Sequence, residues 1–325
     1  MSLLEIRDLS IAFTTTSRPL PVVNSLNFAI QEAEVFGLVG ESGCGKSLTA
    51  LAIMGLLPEN ARAEGTLSFR GRDLLTMHKE SIRRLRGKEI SMIFQEPMTS
   101  LNPVLTIGYQ ISEVITTHLG FSNKDAMERT IELLQAVKIP SPEIRVNEYP
   151  HQMSGGMRQR VMIAMGIACN PSLLIADEPT TALDVTIEAQ ILDLLGTLRE
   201  ERKMAVLLIT HDIGVIAENA DMAAIMYAGR IMELSNVSTV LENPKHPYTI
   251  GLLDSLPKAR GIPLKPIKGA VPKPDALPDG CKFSDRCPFM ITECLKEEPR
   301  LREVSPGQWA RCIRAEEISW ESSRQ

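Results

Sequence analysis

Apolar and polar positions alternate over residues 3–13, Leu-Leu-Glu-Ile-Arg-Asp-Leu-Ser-Ile-Ala-Phe, and predict a strand. A second strand is predicted from Val22 to Ile30, turning at Gln31–Glu34 into the short apolar run Val35–Val39, which reads as buried. Thr66–Phe69 with Gly71 reads as a strand and turn, and Ser81–Arg86 as a basic helix. Ile90–Phe94 is an apolar strand that ends at Gln95 and runs into the turn formers Glu96-Pro97-Met98-Thr99. Residues 104–138 carry helical periodicity, with Ile107, Ile111, Val114 and Ile115 on one face and Ile131, Leu134 and Val137 on a second stripe. Ser154 is an N-cap candidate for a helix running through Cys169. Leu173–Glu178 is an apolar strand closed by two acids, a helix follows over about 186–202, and Ala205–Thr210 is a buried strand ending at His211-Asp212. Ile225–Met232, turning at Gly229, reads as a closing hairpin.

Between the strand at Val35–Val39 and the helical run after it lies Gly40-Glu41-Ser42-Gly43-Cys44-Gly45-Lys46-Ser47, which fits G-x-x-x-x-G-K-[ST] at every fixed position. The glycines let the backbone curl so that N–H groups face phosphate oxygens, and the helix N-terminus adds partial positive charge. Lys46 supplies a point charge for the β- and γ-phosphates, and Ser47 a hydroxyl for Mg²⁺. The nucleotide contacts expected here are Gly40, Ser42, Gly43 and Cys44, then Gly45, Lys46, Ser47 and Leu48. Phe13 stands about thirty residues upstream, as an adenine-stacking ring or as an ordinary core phenylalanine. Asp177 suits Mg²⁺, directly or through water, and Glu178 suits activation of the attacking water. Gln95 ends a strand and can ligate Mg²⁺ or orient a water, while His211 can reach a γ-phosphate or simply lie on the surface.

Composition narrows the class. The chain of 325 residues has a net charge of −5, 44% hydrophobic and 23% charged residues, which fits a globular protein and argues against general nucleic-acid affinity. No run approaches the ~18 apolar residues of a membrane span, so a cytoplasmic location is expected. Eleven of the twenty-one prolines lie between Pro244 and Pro306, which marks a linker or an irregular appended domain. Cys281, Cys287, Cys294 and Cys312 crowd that tail. Free thiols, zinc and an iron–sulfur cluster all remain open on spacing, although no pair has the tight spacing common in zinc sites.

The phosphate loop, Gln95, Ser154-Gly155-Gly156, Asp177-Glu178 and His211 occur in that order, and the chain thereby resembles the nucleotide-binding subunit of an ABC transporter. Gln95–Pro103, Ser154–Val161 and Asn243–Thr249 are most similar to the ATPases of bacterial dipeptide/oligopeptide permeases and their nickel-importing relatives. The resemblance implies an α/β P-loop cassette with a mixed sheet: an ATP-binding core over 1–97 and 161–240, a helical subdomain over 98–160 and a Cys-rich extension over 241–325. It implies ATP and Mg²⁺ as ligands, with Asp184 among the nucleotide contacts. Ser154, Gly155 and Gly156 would touch the γ-phosphate held by a second, homologous cassette. Met153 and Met157 flank that signature where leucine and glutamine are usual. The implied partners are that second ATPase subunit, two transmembrane permease subunits and, through them, an extracytoplasmic substrate-binding protein, at the cytoplasmic face of the inner membrane. Similar tails are associated with a [4Fe–4S] cluster on the four cysteines. The implied activity is ATP hydrolysis driving peptide import. Nickel or opine import is the alternative, and a soluble cassette of repair or translation or a redox-sensing module is a more distant one.

Overall fold

The computed structural model describes residues 2–15, 18–95, 100–181, 184–256, 266–318 and 320. Glu96–Thr99, Ala182-Leu183 and the start of the Pro-rich stretch at 257–265 lie outside the described residues. The chain divides into two units: 1–30, 34–75 and 208–325 form the first, and 31–33 with 76–207 the second.

The first unit opens with β1 (Leu4–Phe13), which pairs antiparallel with β2 (Leu20–Ile30) and with β4 (Ala61–Phe69). With β5 (Arg72–Asp73) these make a four-stranded sheet ordered β2-β1-β4-β5. The buried side chains of β1 step from Leu4 and Ile6 to Leu9 and Ile11, so the alternation slips by one residue. A bulge absorbs the slip. Asp8 takes φ 49°, and its carboxylate accepts from Ser25 Oγ at 2.8 Å and Asn27 Nδ2 at 3.0 Å. Those two hydrogen bonds, Asn27 first, lower the Asp8 pKa.

β3 (Val35–Val39) is buried throughout and runs parallel to β9 (Met222–Tyr227). Ala228 and Gly229, at φ 45° and 80°, turn β9 back into antiparallel β10 (Arg230–Asn236), giving a mixed sheet. The tail does not stay apart from this sheet. β12 (Gln308–Ala310) pairs with β10, and β11 (Arg302–Ser305) pairs with β12. The fully buried Glu233 fastens the join, accepting from Lys245 N at 2.8 Å, His246 N at 2.9 Å and Gln308 Nε2 at 2.9 Å. Burial raises its pKa.

The second unit holds β6 (Ile90–Ile93) and β7 (Leu173–Asp177), parallel neighbours with every side chain buried. Around them are α2 (Lys79–Leu85), α3 (Ile107–Leu119), α4 (Asn123–Ala136), α5 (Pro142–Arg145), α6 (Gly155–Ile167) and α7 (Val185–Arg202). The periodic stretch 104–138 is therefore two helices. Gly120, at φ 72°, ends α3, and Ser122 Oγ caps α4 by accepting from Asp125 N at 3.2 Å. β8 (Ala205–Thr210) carries the chain from the second unit into the first. Among the described residues no helix is long and apolar enough to cross a membrane.

Glu233→Ala strands three donors, two of them buried, and is expected to lower the unfolding free energy by roughly 2–4 kcal/mol in urea denaturation. Glu233→Gln keeps an acceptor oxygen and should lose less than half of that.

Candidate functional site

In the first unit, β3 delivers the chain into the loop and α1 (Lys46–Ile53) carries it out. The loop is wrapped around its own lysine: Lys46, 4% exposed, donates from Nζ to Gly40 O at 2.7 Å and to Glu41 O at 3.2 Å. Two glycines make that curl sterically possible. A Cβ on Gly40 would stand 2.0 Å from Met226 O, and Gly45 takes φ 105° where a Cβ would meet Val23 Cγ2 at 2.8 Å. The β9–β10 turn supports the loop from behind, with Gly229 N donating to Cys44 O at 3.0 Å. Ser42, Gly43 and Ser47 are exposed, Leu48 is half-buried, and α1 carries no acid in its first turn. This arrangement presents N–H groups and a hydroxyl to an anion. Burial raises the Cys44 pKa despite the nearby Lys46.

Phe13, half-buried, closes β1 opposite Leu20 and Ala61. His211 follows β8 and is exposed, and Asp212 turns the chain there by accepting from Gly214 N at 2.7 Å to cap α8 (Ile213–Asn219).

In the second unit, Asp177 is the buried last residue of β7. Glu178, just past the strand, takes φ 46°, an uncommon conformation for a non-glycine residue and one that clusters at working sites. Its Oε2 accepts from Gln95 Nε2 at 2.9 Å and from Thr181 Oγ1 at 2.9 Å. Gln95 and Glu178, 83 positions apart, are thus in direct contact, at the carboxyl ends of paired parallel strands where open α/β sheets bind ligands. Thr181, which no motif singles out, completes the cradle. Two hydrogen bonds to one oxygen fix the direction of this carboxylate, which suits it to orient a water.

Ser154 caps α6, accepting from Met157 N at 3.3 Å, and Ser154 and Gly155 are exposed. Gly156 is held close to α7, where a Cβ would meet Ile187 Cγ2 at 2.9 Å. Asp184 caps α7 through Ile187 N at 3.0 Å.

Cys281, Cys287, Cys294 and Cys312 line one small cavity together with His246 and Phe283. Among the described residues no group of three or more His, Cys, Asp or Glu stands in an arrangement able to hold a metal ion. Burial pushes the Cys287 thiol up to about 12 and Cys312 up to about 11, and raises Cys281. The same cavity is also lined by Ser284 and Arg314.

Two residues that sequence reasoning left without a role reach the phosphate loop from the tail. Tyr248, on α10 (Pro247–Asp254), accepts at its Oη from Glu41 N at 3.1 Å, and Arg286 pairs with the Glu41 carboxylate at 2.8 Å.

Comparisons with known proteins agree with this geometry. Residues 23–181 match the family model of the ABC transporter, and residues 232–294 match that of the oligopeptide/dipeptide transporter, C-terminal region. The oligopeptide transport ATP-binding protein AppD of Bacillus subtilis is 48% identical, covering 99% of this chain and 99% of its own. OppD of Salmonella typhimurium, also an oligopeptide transport ATP-binding protein, is 48% identical over 96% of this chain and 93% of its own. Among solved structures, the dimeric bacterial ABC transporter cassette MJ0796 aligns with a TM-score of 0.65 at 26% identity, over 72% of this chain and 98% of that one.

The raised thiol values predict slow alkylation. In the folded chain, treated with chelator, Cys287 and Cys312 should react with iodoacetamide at pH 8 roughly 100-fold more slowly than in urea, because little thiolate is present well below a pKa of about 12 or about 11. The rate should climb as pH rises toward those values, read by mass spectrometry of the labelled peptides.

Proposed function

The chain belongs to the ABC transporter family and is the ATP-hydrolysing subunit of a peptide importer, and from that premise we propose how its residues divide the work. The observation that carries the reading is 48% identity along almost the whole of both chains to oligopeptide transport ATP-binding proteins. MgATP is the substrate. Gly40 to Leu48 hold its phosphates, with Lys46 as the point charge, and the half-exposed edge of Phe13 offers a surface for the base. Ser47 offers a hydroxyl oxygen to Mg²⁺. Asp177 and the Gln95 amide are oxygen donors of the kind that hard cation prefers.

Glu178 is the general base. The hydrogen bonds from Gln95 and Thr181 aim its carboxylate, and His211 is assigned to the γ-phosphate. Ser154, Gly155 and Gly156, with Asp184, face the nucleotide of a second, homologous cassette. The exposure of Ser154 and Gly155 at the start of α6 supports this, as does the dimeric state of the solved relative. ATP would then close two cassettes on each other and hydrolysis release them, a ligand-driven change between two states.

The working division we adopt is a core over 1–97 and 161–240, a helical part over 98–160 and a Cys-rich extension over 241–325. The two permease subunits dock on the second unit, where a groove of about 540 Å³ is lined by Arg83, Arg86, Phe94, Leu101, His118 and Met165. Phe94 is 40% exposed there, an apolar surface for a membrane subunit to cover. The chain lies on the cytoplasmic face of the inner membrane, and the substrate-binding protein acts across it. The four tail cysteines are the ligands for a [4Fe–4S] cluster, supported by their convergence on one cavity. Such a cluster would cross-link a segment poor in core.

Reconstitution with the permease subunits tests the whole reading. ATP-dependent accumulation of a peptide in proteoliposomes is expected, and hydrolysis without uptake of any peptide would count against it. Glu178→Gln should cut ATPase turnover by about 10²–10⁴-fold with MgATP binding retained, the usual worth of a positioned base. For the tail, anaerobic purification should yield about four irons per chain. Cys287→Ser with Cys312→Ser should abolish that iron content.

A further inference from the structure

Glu41 is the only acid in the phosphate loop. An unneutralised carboxylate there repels the triphosphate the loop is built to hold. Arg286, distant in sequence, answers it. One guanidinium nitrogen, Nη1, stands 2.8 Å from Glu41 Oε1 and 3.1 Å from Oε2. The guanidinium is itself fixed on every side. Nε donates to Lys268 O at 2.9 Å and Nη2 to Gly269 O at 3.2 Å, while the plane lies 5.6 Å from the Tyr227 ring centroid and 5.9 Å from that of Phe283. The Arg286 side chain is 6% exposed and that of Glu41 30%, so water screens the pair little. Backbone contacts hold the same residue: Glu41 N donates to Tyr248 Oη, and Glu41 O accepts from Lys46 Nζ and from Cys44 N at 3.3 Å.

We propose that Arg286 is a positioning residue for MgATP, acting through Glu41. It neutralises the loop's carboxylate and holds it to the tail, so that the net field in the loop is that of Lys46 and the backbone N–H groups. The tail is thereby part of the nucleotide site, although its cysteines take no part in hydrolysis.

The inference rests on the loop being the ATP site, and the experiment separates the two. ATPase of the assembled transporter is measured against MgATP for wild type, Arg286→Gln and the double variant Arg286→Gln/Glu41→Gln. Arg286→Gln should raise KM for ATP about tenfold with kcat within twofold, more steeply at 20 mM than at 300 mM salt. Adding Glu41→Gln should return KM to within about threefold of wild type, because no carboxylate then faces the phosphates. A KM unchanged in Arg286→Gln overturns the inference, as does a double variant no better than the single, which would make Arg286 a packing residue. If Arg286→Gln does not assemble, recovery of assembly by the double variant supports the charge role, and failure of both overturns it. A wild-type complex that does not saturate with MgATP overturns instead the assignment of the loop.

Discussion

An ammonium group buried away from water has to be solvated by the protein. Lys46 is 4% exposed, and the loop supplies that solvation from the carbonyls of Gly40 and Glu41. Much else follows from this one demand. The backbone must double back on its own lysine, so residue 40 has to pass within reach of Met226 O, where a side chain has no room. Gly45 must take φ 105° to aim α1 correctly. The β9–β10 turn, with Ala228 and Gly229 both at positive φ, brings the N–H of Gly229 to Cys44 O and fixes the far side of the curl. The parallel pairing of β3 with β9 is what brings Met226 and Gly229 against the loop.

The tail depends on the same region. β12 adds to β10, Glu233 ties β10 to the start of α10 and to Gln308, and α10 presents Tyr248 to Glu41 N. Tyr227, Tyr248 and Phe283 pack as a cluster with centroids 4.8–5.3 Å apart, and Arg286 lies over two of those rings. His246, buried and pushed down to about 3, stays neutral beside them and caps α10 by accepting from Tyr248 N at 3.0 Å. A short helical turn, Ser284–Arg286, ends at Cys287, so the cysteine cavity begins one residue from the ion pair on the loop.

Glu178 illustrates how a site is assembled from weak local signals. Neither a glutamine after a strand nor an acid pair after another is specific by itself. The parallel pairing of β6 and β7 sets their ends side by side, and the positive φ at Glu178 turns its carboxylate toward Gln95 and Thr181. The strain at one residue is tolerable because two hydrogen bonds and the buried strand before it hold it in place.

What the chain disclosed in advance tracks the range of the forces involved. The loop, the Ser154 cap and the buried strands 35–39, 173–177 and 205–210 were legible, since each is set by neighbours within a few residues. The break at Gly120 was missed within 104–138 because the apolar stripes on either side keep helical spacing. A glycine in αL is a backbone fact that periodicity does not register. The bulge at Asp8 was hidden for a related reason, since apolar content along β1 stays high across the slip. Arg286 had no local signal at all. It lies 245 positions from Glu41 in a Pro-rich stretch, and its partner looks in the loop pattern like a variable residue. Pattern reading ranks residues by the chemistry of fixed positions. The charge of a variable one acquires meaning only when the fold shows which cation was brought to it, and the packing of Tyr227, Phe283 and the Lys268–Gly269 carbonyls around Arg286 leaves that cation directed at Glu41.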